Sequence, residues 1–197
     1  MGVSCQAKIN RTKTRNLKMQ SLFFPCLKTK RLIFRQITPT DIQNIYKGLS
    51  NPKVIKYYGI SFDSLEATEE QMIWYRDLEQ NETGIWWAIC SLDNNVFYGA
   101  GGFNNLNKEH KKAEIGFWLL PEFWGQGFMQ EAFPLICDYG FNKLDLNRIE
   151  GFVDSENTNC KKAVERLNFK FEGTMRDCEI KEGKYLSVAI YSKLKND

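Results

Sequence analysis

The clearest pattern of hydrophobic and polar positions runs from Lys112 to Phe141. Residues 113–120 form an apolar, aromatic run of strand length, and Pro121 ends it because proline cannot donate to a sheet ladder. A helix is predicted directly afterwards, since apolar residues recur there with the period of about 3.6 residues that marks one helix face. That face carries Phe128, Ala132, Leu135, Ile136 and Tyr139, and the opposite face carries Gln130, Pro134 and Asp138.

Two glycines, Gly125 and Gly127, lie between this strand and this helix. Without side chains there, a ligand can approach the main chain closely, and the unpaired N–H groups of the first helical turn point outward with the positive end of the helix dipole. The pattern favours a phosphate-binding turn, although a tight turn without a ligand has the same spacing. A P-loop would need Lys after Gly127, and a dinucleotide fingerprint would need Gly at Gln130, so neither motif is present.

The rest of the chain predicts further elements that alternate between strands and helices. A loop rich in aromatic residues is expected over 54–62, between the first two helices. The predicted elements are a strand over 31–37, a helix capped by Thr38 and stopped at Asn51–Pro52, a helix over 65–80 capped by Ser64, a hairpin of 85–90 with 96–103, a strand over 147–154, a helix from Cys160 to Leu167, and a hairpin of 169–180 with 184–192.

Composition indicates one globular domain, since the 197 residues are 43% hydrophobic and 14% aromatic. An apolar run of about 18 residues and the apolar core of a secretory signal are both missing from the sequence, which predicts a cytoplasmic protein without membrane contact. No C-x-x-C pair occurs, and His110 has no cysteine near it in sequence, so free thiols are expected rather than metal ligands. The cysteines are Cys5, Cys26, Cys90, Cys137, Cys160 and Cys178.

Residues 1–19 differ from the rest of the chain. They carry five basic side chains, no acidic one and few large apolar residues, which predicts a flexible basic tail ahead of a domain over 20–197. Nucleic-acid binding is expected only if this tail provides it, and a solvated appendage is the alternative. The basic residues are Lys8, Arg11, Lys13, Arg15 and Lys18.

Three segments resemble the GNAT acetyltransferase superfamily in its RimJ/RimL ribosomal-protein form. Residues 113–132, A-E-I-G-F-W-L-L-P-E-F-W-G-Q-G-F-M-Q-E-A, are similar to the family's signature with its W-G-x-G-[YF]-x-x-E-A ending. T-K-R-L-I-F-R followed by Asp41 is similar to the family's opening, and V-D-S-E-N-T-N-C-K-K-A-V-E-R-L-N-F-K-F-E-G is similar to its E-N-x-x-S…L-G-F…E-G segment. The resemblance covers residues 28–194, and it departs at Cys160 and Asn168, where the family usually has serine and glycine.

This resemblance implies a fold and a cosubstrate. The fold is a single α/β GNAT-type domain, with a mixed, mostly antiparallel sheet of about seven strands and about four helices, splayed at the acetyl-CoA site. Acetyl-CoA is the implied cosubstrate, and no metal is implied. The residues implied in binding it are Trp118, Leu119, Leu120, Gly125, Gln126, Gly127, Phe128, Met129, Gln130 and Asn157, the last as a contact of the pantetheine arm.

Acyl transfer to an amine needs a free amine, a polarised carbonyl and a proton for the departing thiolate. Glu114 is the first candidate base, with a solvated strand carboxylate as the alternative. The resemblance implies Glu179 as the second candidate, because ribosomal-type members of the family have a carboxylate there. By analogy with the splayed strands of the family, a main-chain N–H of Leu119 or a neighbour would polarise the carbonyl. Cys160 is a candidate proton donor, because a thiol at a helix N-terminus has a lowered pKa, although packing also explains it.

In the family that the chain resembles, the loop over 54–62 lies on the acceptor side, which makes Tyr57, Tyr58 and Phe62 candidates for contact with the acceptor, although core packing explains each at least as well. Trp86 and Trp87 are adjacent in a strand and face opposite sides of the sheet, so one is expected in the core and the other, taken as Trp87, is a fourth candidate. The sequence thus predicts an acetyl-CoA-dependent N-acetyltransferase that acts on a protein N-terminal α-amine, such as that of a ribosomal protein, by direct transfer in a ternary complex. The alternatives are acetylation of a polyamine or antibiotic, a CoA-binding protein without turnover, and an RNA-associated protein. A homodimer is left open.

Overall fold

The computed structural model describes residues 24–197. The predicted tail over 1–19 and the first four residues of the predicted domain lie outside this range. The strands are β1 Leu27–Lys28, β2 Leu32–Gln36, β3 Ile85–Ser91, β4 Phe97–Asn107, β5 Lys112–Leu119, β6 Arg148–Asp154, β7 Lys170–Lys181 and β8 Lys184–Leu194. The helices are α1 Ile42–Leu49, α2 Pro52–Ile55, α3 Leu65–Gln80, α4 Phe128–Asn142 and α5 Thr158–Arg166.

The strands form one sheet in the order β1-β2-β3-β4-β5-β6-β8-β7. Every neighbouring pair is antiparallel except β5 and β6, which are parallel. This confirms the predicted α/β fold with a mixed, mostly antiparallel sheet. The described residues form eight strands and five helices, because the two-residue β1 and the four-residue α2 add to the predicted set.

Two predicted boundaries are wrong. Asn51 was expected to help stop the first helix, but its side chain accepts a hydrogen bond from the Lys53 N–H at 3.0 Å and caps α2, with Pro52 in the first turn. The aromatic loop therefore begins after Ile55. Strand β4 continues to Asn107, which pairs with Lys112, so only a short turn separates β4 from β5.

The sheet is covered on both faces by separate apolar cores. One core lies under α4 and α5, and the other lies under α1, α2 and α3. Trp86 and Trp87, being adjacent in β3, point to opposite faces, and both are buried. Trp86 packs on α3, while the Trp87 indole N–H donates to the Pro25 carbonyl at 2.8 Å and its ring meets Tyr139 of α4 edge-on.

Helix α4 has the predicted orientation, with Gln130, Pro134 and Asp138 exposed and Ala132 and Ile136 buried. Pro134 has no N–H to donate to the carbonyl four residues earlier in the helix. Because Pro134 is exposed, water can donate to that carbonyl instead. Helix α3 also matches its prediction.

An ion pair between Arg35 of β2 and Asp41 ties the edge of the sheet to the start of α1. The guanidinium is bidentate on the carboxylate, at 2.7 Å for both contacts, and the Thr38 N–H also donates to Asp41 at 2.8 Å. Burial alone would raise the pKa of Asp41, but the hydrogen bonds from Arg35 and Thr38 outweigh it and lower this pKa. The side chain of Asp41 is only 3% exposed, so solvent screens the pair weakly.

We expect Asp41→Asn to lower the free energy of unfolding by about 3 kcal/mol at pH 7, since it leaves the Arg35 charge half-buried without its partner. Because the pKa of Asp41 is lower in the folded than in the unfolded protein, this stabilisation is present above pH ~4 and is lost as the pH falls through the folded value. Urea unfolding at pH 7 and pH 3 measures both effects. Exposed Glu109→Gln is the control, and a loss of stability in Asp41→Asn that is as large at pH 3 as at pH 7 would contradict the assignment.

Candidate active site

The sheet divides between β5 and β6. These strands pair only from Lys112 with Arg148 to Glu114 with Glu150. Beyond that point β5 stays paired with β4 as far as Leu119, and β6 stays paired with β8 along its whole length. The two halves of the sheet therefore part just after Glu114, and we call this opening the fork.

Helix α4 begins at the end of the fork, directly after the two glycines. Gly125 and Gly127 have φ of +72° and +78°, a left-handed conformation that side chains disfavour, and Gly127 is the N-cap residue. A Cβ at Gly125 would meet no atom within 4 Å, so the main chain there is open to a ligand. The N–H groups of Phe128, Met129 and Gln130 have no acceptor within the helix. Their geometry fits a pyrophosphate group.

Arg31 holds this turn in place, a role that the sequence did not reveal. Its Nη1 donates to the Gln126 carbonyl at 3.0 Å, its Nε bonds to Glu131 at 2.6 Å, and its guanidinium lies 4.5 Å from the centre of the Phe128 ring. Thr29 also donates to Glu131 through its hydroxyl. The Gln126 carbonyl is thereby directed towards Arg31 instead of into the turn. The only sequence signal was the presence of these residues in segments that resemble the family.

The main chain of Leu119 faces the fork. The Leu120 N–H donates to the Tyr98 carbonyl at 2.8 Å, which makes these two residues a hydrogen-bonded pair of the β4–β5 ladder. Such pairs alternate in antiparallel strands, so the N–H and C=O of Leu119 point away from β4, towards β6. The Leu119 carbonyl accepts from the Trp124 indole at 2.8 Å on that side. The Leu119 N–H is therefore placed to meet a ligand in the fork.

Two residues predicted beside Leu119 do not have this position. The Trp118 side chain is buried in the core under α1, where it lies against Gly48. Leu120 is 2% exposed, and Tyr98 already accepts from its N–H. Of the three consecutive residues predicted for cosubstrate binding, we therefore retain only Leu119.

Asn157 and Cys160 lie at the start of α5. Asn157 is the N-cap residue, and its side-chain oxygen accepts from the Cys160 N–H at 3.1 Å, which leaves its NH₂ group as a donor. The prediction of a lowered pKa for Cys160 is wrong, because burial raises it to about 11. The thiol stays protonated at neutral pH and is a poorer proton donor than an ordinary thiol. We therefore leave Cys160 out of the proposed machinery.

Glu114 is the acidic residue at the base of the fork, on the face that carries α1 to α3. Its carboxylate accepts from the Asn105 side chain at 2.9 Å, and no ion pair to it occurs within residues 24–197. Tyr58 lies nearby: its pKa is raised well above the ordinary value, chiefly by burial and further by the proximity of Tyr75 and Glu114. Tyr58 and Phe62 both pack against the core on this face.

The other predicted acceptor and catalytic residues are spread more widely. Tyr57 is half-buried, with Lys56 above its ring at 4.8 Å. Glu179 is exposed in β7 opposite Leu186. Trp87 is fully buried in the core under α4, so it does not contact an acceptor, and its assignment to the acceptor site is wrong. The structure thus brings Glu114, Tyr58 and Phe62 to one face and excludes Trp87 from it.

A charged network closes the base of the fork. Glu150 bonds to Lys112 at 3.1 Å and to Arg148 at 2.8 Å, and Arg148 also pairs with Glu172 of β7. The hydrogen bonds from Arg148 and Ser192 lower the pKa of Glu172 to about 2. Glu150 is therefore neutralised by its ion pairs, whereas Glu114 remains available.

Residues 24–197 have none of the features of metal sites, disulfides or membrane-spanning helices. No group of three or more His, Cys, Asp and Glu side chains in this range is arranged to hold a metal ion. Its five cysteines are free, and two of them, Cys90 and Cys137, are buried. None of the described helices is both long and apolar enough to cross a membrane.

A protein-family model described as "Acetyltransferase (GNAT) domain" matches residues 31–170. The chain is 35% identical over 173 residues to an uncharacterized N-acetyltransferase, YoaA of Bacillus subtilis (strain 168). The alignment covers 87% of this chain and 98% of YoaA.

The structure of this chain is similar to that of RimL, a ribosomal L7/L12 alpha-N-protein acetyltransferase in complex with coenzyme A. The TM-score is 0.77, the sequence identity is 21%, and the match covers 86% of this chain and 98% of the RimL chain. The structure of this chain is also similar to that of spermidine N-acetyltransferase from Vibrio cholerae in complex with CoA and spermine, with a TM-score of 0.76, 22% identity, and coverage of 85% and 98%.

The chain therefore belongs to the GNAT acetyltransferase family, and it is an N-acetyltransferase. This confirms the predicted superfamily and enzyme class. The two structural neighbours act on different kinds of amine, as their names state, so the similarity of fold does not choose an acceptor.

We expect Gly127→Val to weaken the binding of acetyl-CoA by at least about tenfold and Gln126→Ala by less than about twofold. A β-branched residue is strained at the positive φ of Gly127 and narrows the approach to the helix N-terminus, whereas the Gln126 side chain bonds to the Glu122 carbonyl, away from the turn. Calorimetric titration measures both affinities, and the melting temperature of each variant reports its folding. Equal losses in the two variants would contradict the binding of acetyl-CoA at the glycine turn.

Proposed function

We propose that this protein transfers the acetyl group of acetyl-CoA directly to the N-terminal α-amine of a polypeptide, as in the acetylation of ribosomal proteins, within a ternary complex. The observation that carries the proposal is the position of Glu114 at the base of the fork, whose other end is bounded by the glycine turn that begins α4. A cosubstrate bound at the turn and along Leu119 would extend towards the same place. Its thioester supplies the activated acyl carbon.

Most of the groups that would bind this cosubstrate belong to the main chain. The N–H groups at the start of α4 would bind the pyrophosphate, with Arg31 orienting the turn. The Asn157 NH₂ group would donate to the pantetheine arm. The Leu119 N–H would donate to the thioester oxygen and stabilise the negative charge that develops there during transfer.

Glu114 would remove the proton of the acceptor amine, directly or through one water. Asn105 donates to one of its oxygens, which orients the carboxylate and leaves the other oxygen free to accept a proton. Tyr58, which packs against the core on the same face, would form an aromatic wall beside the amine. Glu179 is the alternative base, and it lies in the more exposed β7.

The charge of the site favours an α-amine over a polyamine. An N-terminal amine has a pKa of about 7.7–8.0, so it is partly neutral at physiological pH and one carboxylate suffices to deprotonate the rest. A polyamine carries several ammonium charges and needs several free carboxylates. At the base of the fork, Glu150 is already paired with Lys112 and Arg148, which leaves Glu114 as the free carboxylate of this pair of acidic residues. Polyamine acetylation, as named for the Vibrio cholerae structure, is the second candidate.

We expect Glu114→Gln to lower kcat/KM for a peptide with a free N-terminus by about 10²- to 10⁴-fold, the usual range for general base catalysis, with little change in acetyl-CoA affinity. The wild type should acetylate such a peptide faster than spermidine. Release of the CoA thiol, followed from pH 6 to pH 9, measures the rates. Any dependence of kcat/KM on pH that persists in Glu114→Gln is due to ionisation of the acceptor amine.

Glu179→Gln is the matched control, because it makes the same chemical change in the second candidate base. A large loss in this variant with none in Glu114→Gln would move the base to β7. Faster acetylation of spermidine than of every peptide would replace the proposed acceptor with the polyamine. If neither glutamate mattered, the protein would act chiefly by positioning its substrates.

A further inference from the structure

The end of β7 is fastened to the loop after α2 by a single side chain. The Lys181 ammonium donates to the carbonyls of Ile55, Lys56 and Tyr58, the last two at 3.1 and 3.0 Å. These bonds use all three donors of the ammonium group. They join residues more than 120 positions apart in the chain. We call this set of contacts the Lys181 clasp.

The tip of the β7–β8 hairpin has little else to hold it. Strand β7 is the edge of the sheet, and its register with β8 shifts between Met175 and Glu179. Ile180 and Tyr185, at the tip, are each 68% exposed, so no apolar packing anchors them. Among the described residues, the side-chain hydrogen bonds between this hairpin and residues 52–62 are those of Lys181.

The clasp acts on a wall of the proposed acceptor site. One of its three carbonyls belongs to Tyr58, which packs against the core on the face of the sheet that carries Glu114. Glu179 lies two residues before Lys181 and so projects from the same face of β7. Lys181 therefore sets the separation between the loop that carries Tyr58 and the strand that carries Glu179.

We propose that Lys181 is a positioning residue for the acceptor amine, and that it fixes the width of the acceptor cleft by fastening the β7–β8 hairpin to residues 55–58, the end of α2 and the start of the loop after it. The proposal rests on the proposed function, because the acceptor site is defined by it. The glycine turn of α4 lies outside these contacts, so loss of the clasp affects the acceptor and not the cosubstrate. The clasp is thus a determinant of acceptor affinity.

The test replaces Lys181 with Met, which keeps the length of the side chain and removes the three donors. We expect KM for a peptide acceptor to rise about tenfold, in keeping with the loss of charge-assisted hydrogen bonds, with KM for acetyl-CoA changed less than about twofold. Lys181→Arg should recover part of the acceptor affinity, since a guanidinium also donates to several carbonyls. Lys184→Met is the matched control: Lys184 pairs with Lys181 across the hairpin and is exposed.

Hydrogen exchange supplies a readout that does not depend on activity. The amides of residues 56–62 should exchange faster in Lys181→Met than in the wild type and be unchanged in Lys184→Met. Unchanged exchange in Lys181→Met would overturn the clasp, and faster exchange with an unchanged acceptor KM would overturn its role in positioning. A wild-type protein inactive on every amine would instead overturn the proposed function, and the exchange comparison would still decide whether the clasp exists.

Discussion

The structure depends on where the pairing of β5 with β6 stops. Three residue pairs join these strands, and beyond Glu114 each strand is held only by its outer neighbour. A free strand edge inside a sheet normally invites pairing with another chain. Here the free edge of β5 faces the N-terminus of α4. The unpaired main-chain N–H of Leu119 and those of the first turn of α4 therefore lie along one path. This opening in the sheet is the proposed binding site, and it is made largely of main chain.

The fork is fixed from both ends. At its base, Glu150 is held by Lys112 and Arg148, which pins the last paired residues together. Above the base, Phe133 of α4 packs against Phe117 of β5, with ring centres 5.2 Å apart, and against Phe169, which precedes β7, at 6.0 Å. One aromatic side chain thus contacts both halves of the sheet. Helix α4 therefore supports the opening at the same time as its N-terminus lines it.

Much of the fold was predictable because its signals are local. The Ser64 cap predicted the start of α3 correctly, and the apolar period and the two glycines predicted α4 with the turn before it. Local signals failed where tertiary packing decides. The pattern could not show that Trp87 faces the core under α4, nor that burial raises the pKa of Cys160 despite its place at a helix N-terminus.

The missed residues of the site share a different feature. Arg31 acts on Glu131 across 100 positions, and Lys181 acts on Ile55 across 126. In the sequence each is a basic residue that no pattern distinguishes, and only the folded sheet brings it to its partners. Long side chains that fasten one segment to another leave no periodic or spacing signal, so sequence reasoning finds the groups that bind a ligand more readily than those that orient them.

The central claim is that the cosubstrate lies in the fork and on the start of α4. Amide NMR of the ¹⁵N-labelled protein, titrated with coenzyme A, tests this directly. We expect the largest shifts at residues 125–130, at Leu119 and at the Asn157 side-chain amide, with small shifts in the turn at 108–111, which lies at the other end of β5. Saturable shifts centred elsewhere, with residues 125–130 unmoved, would contradict it.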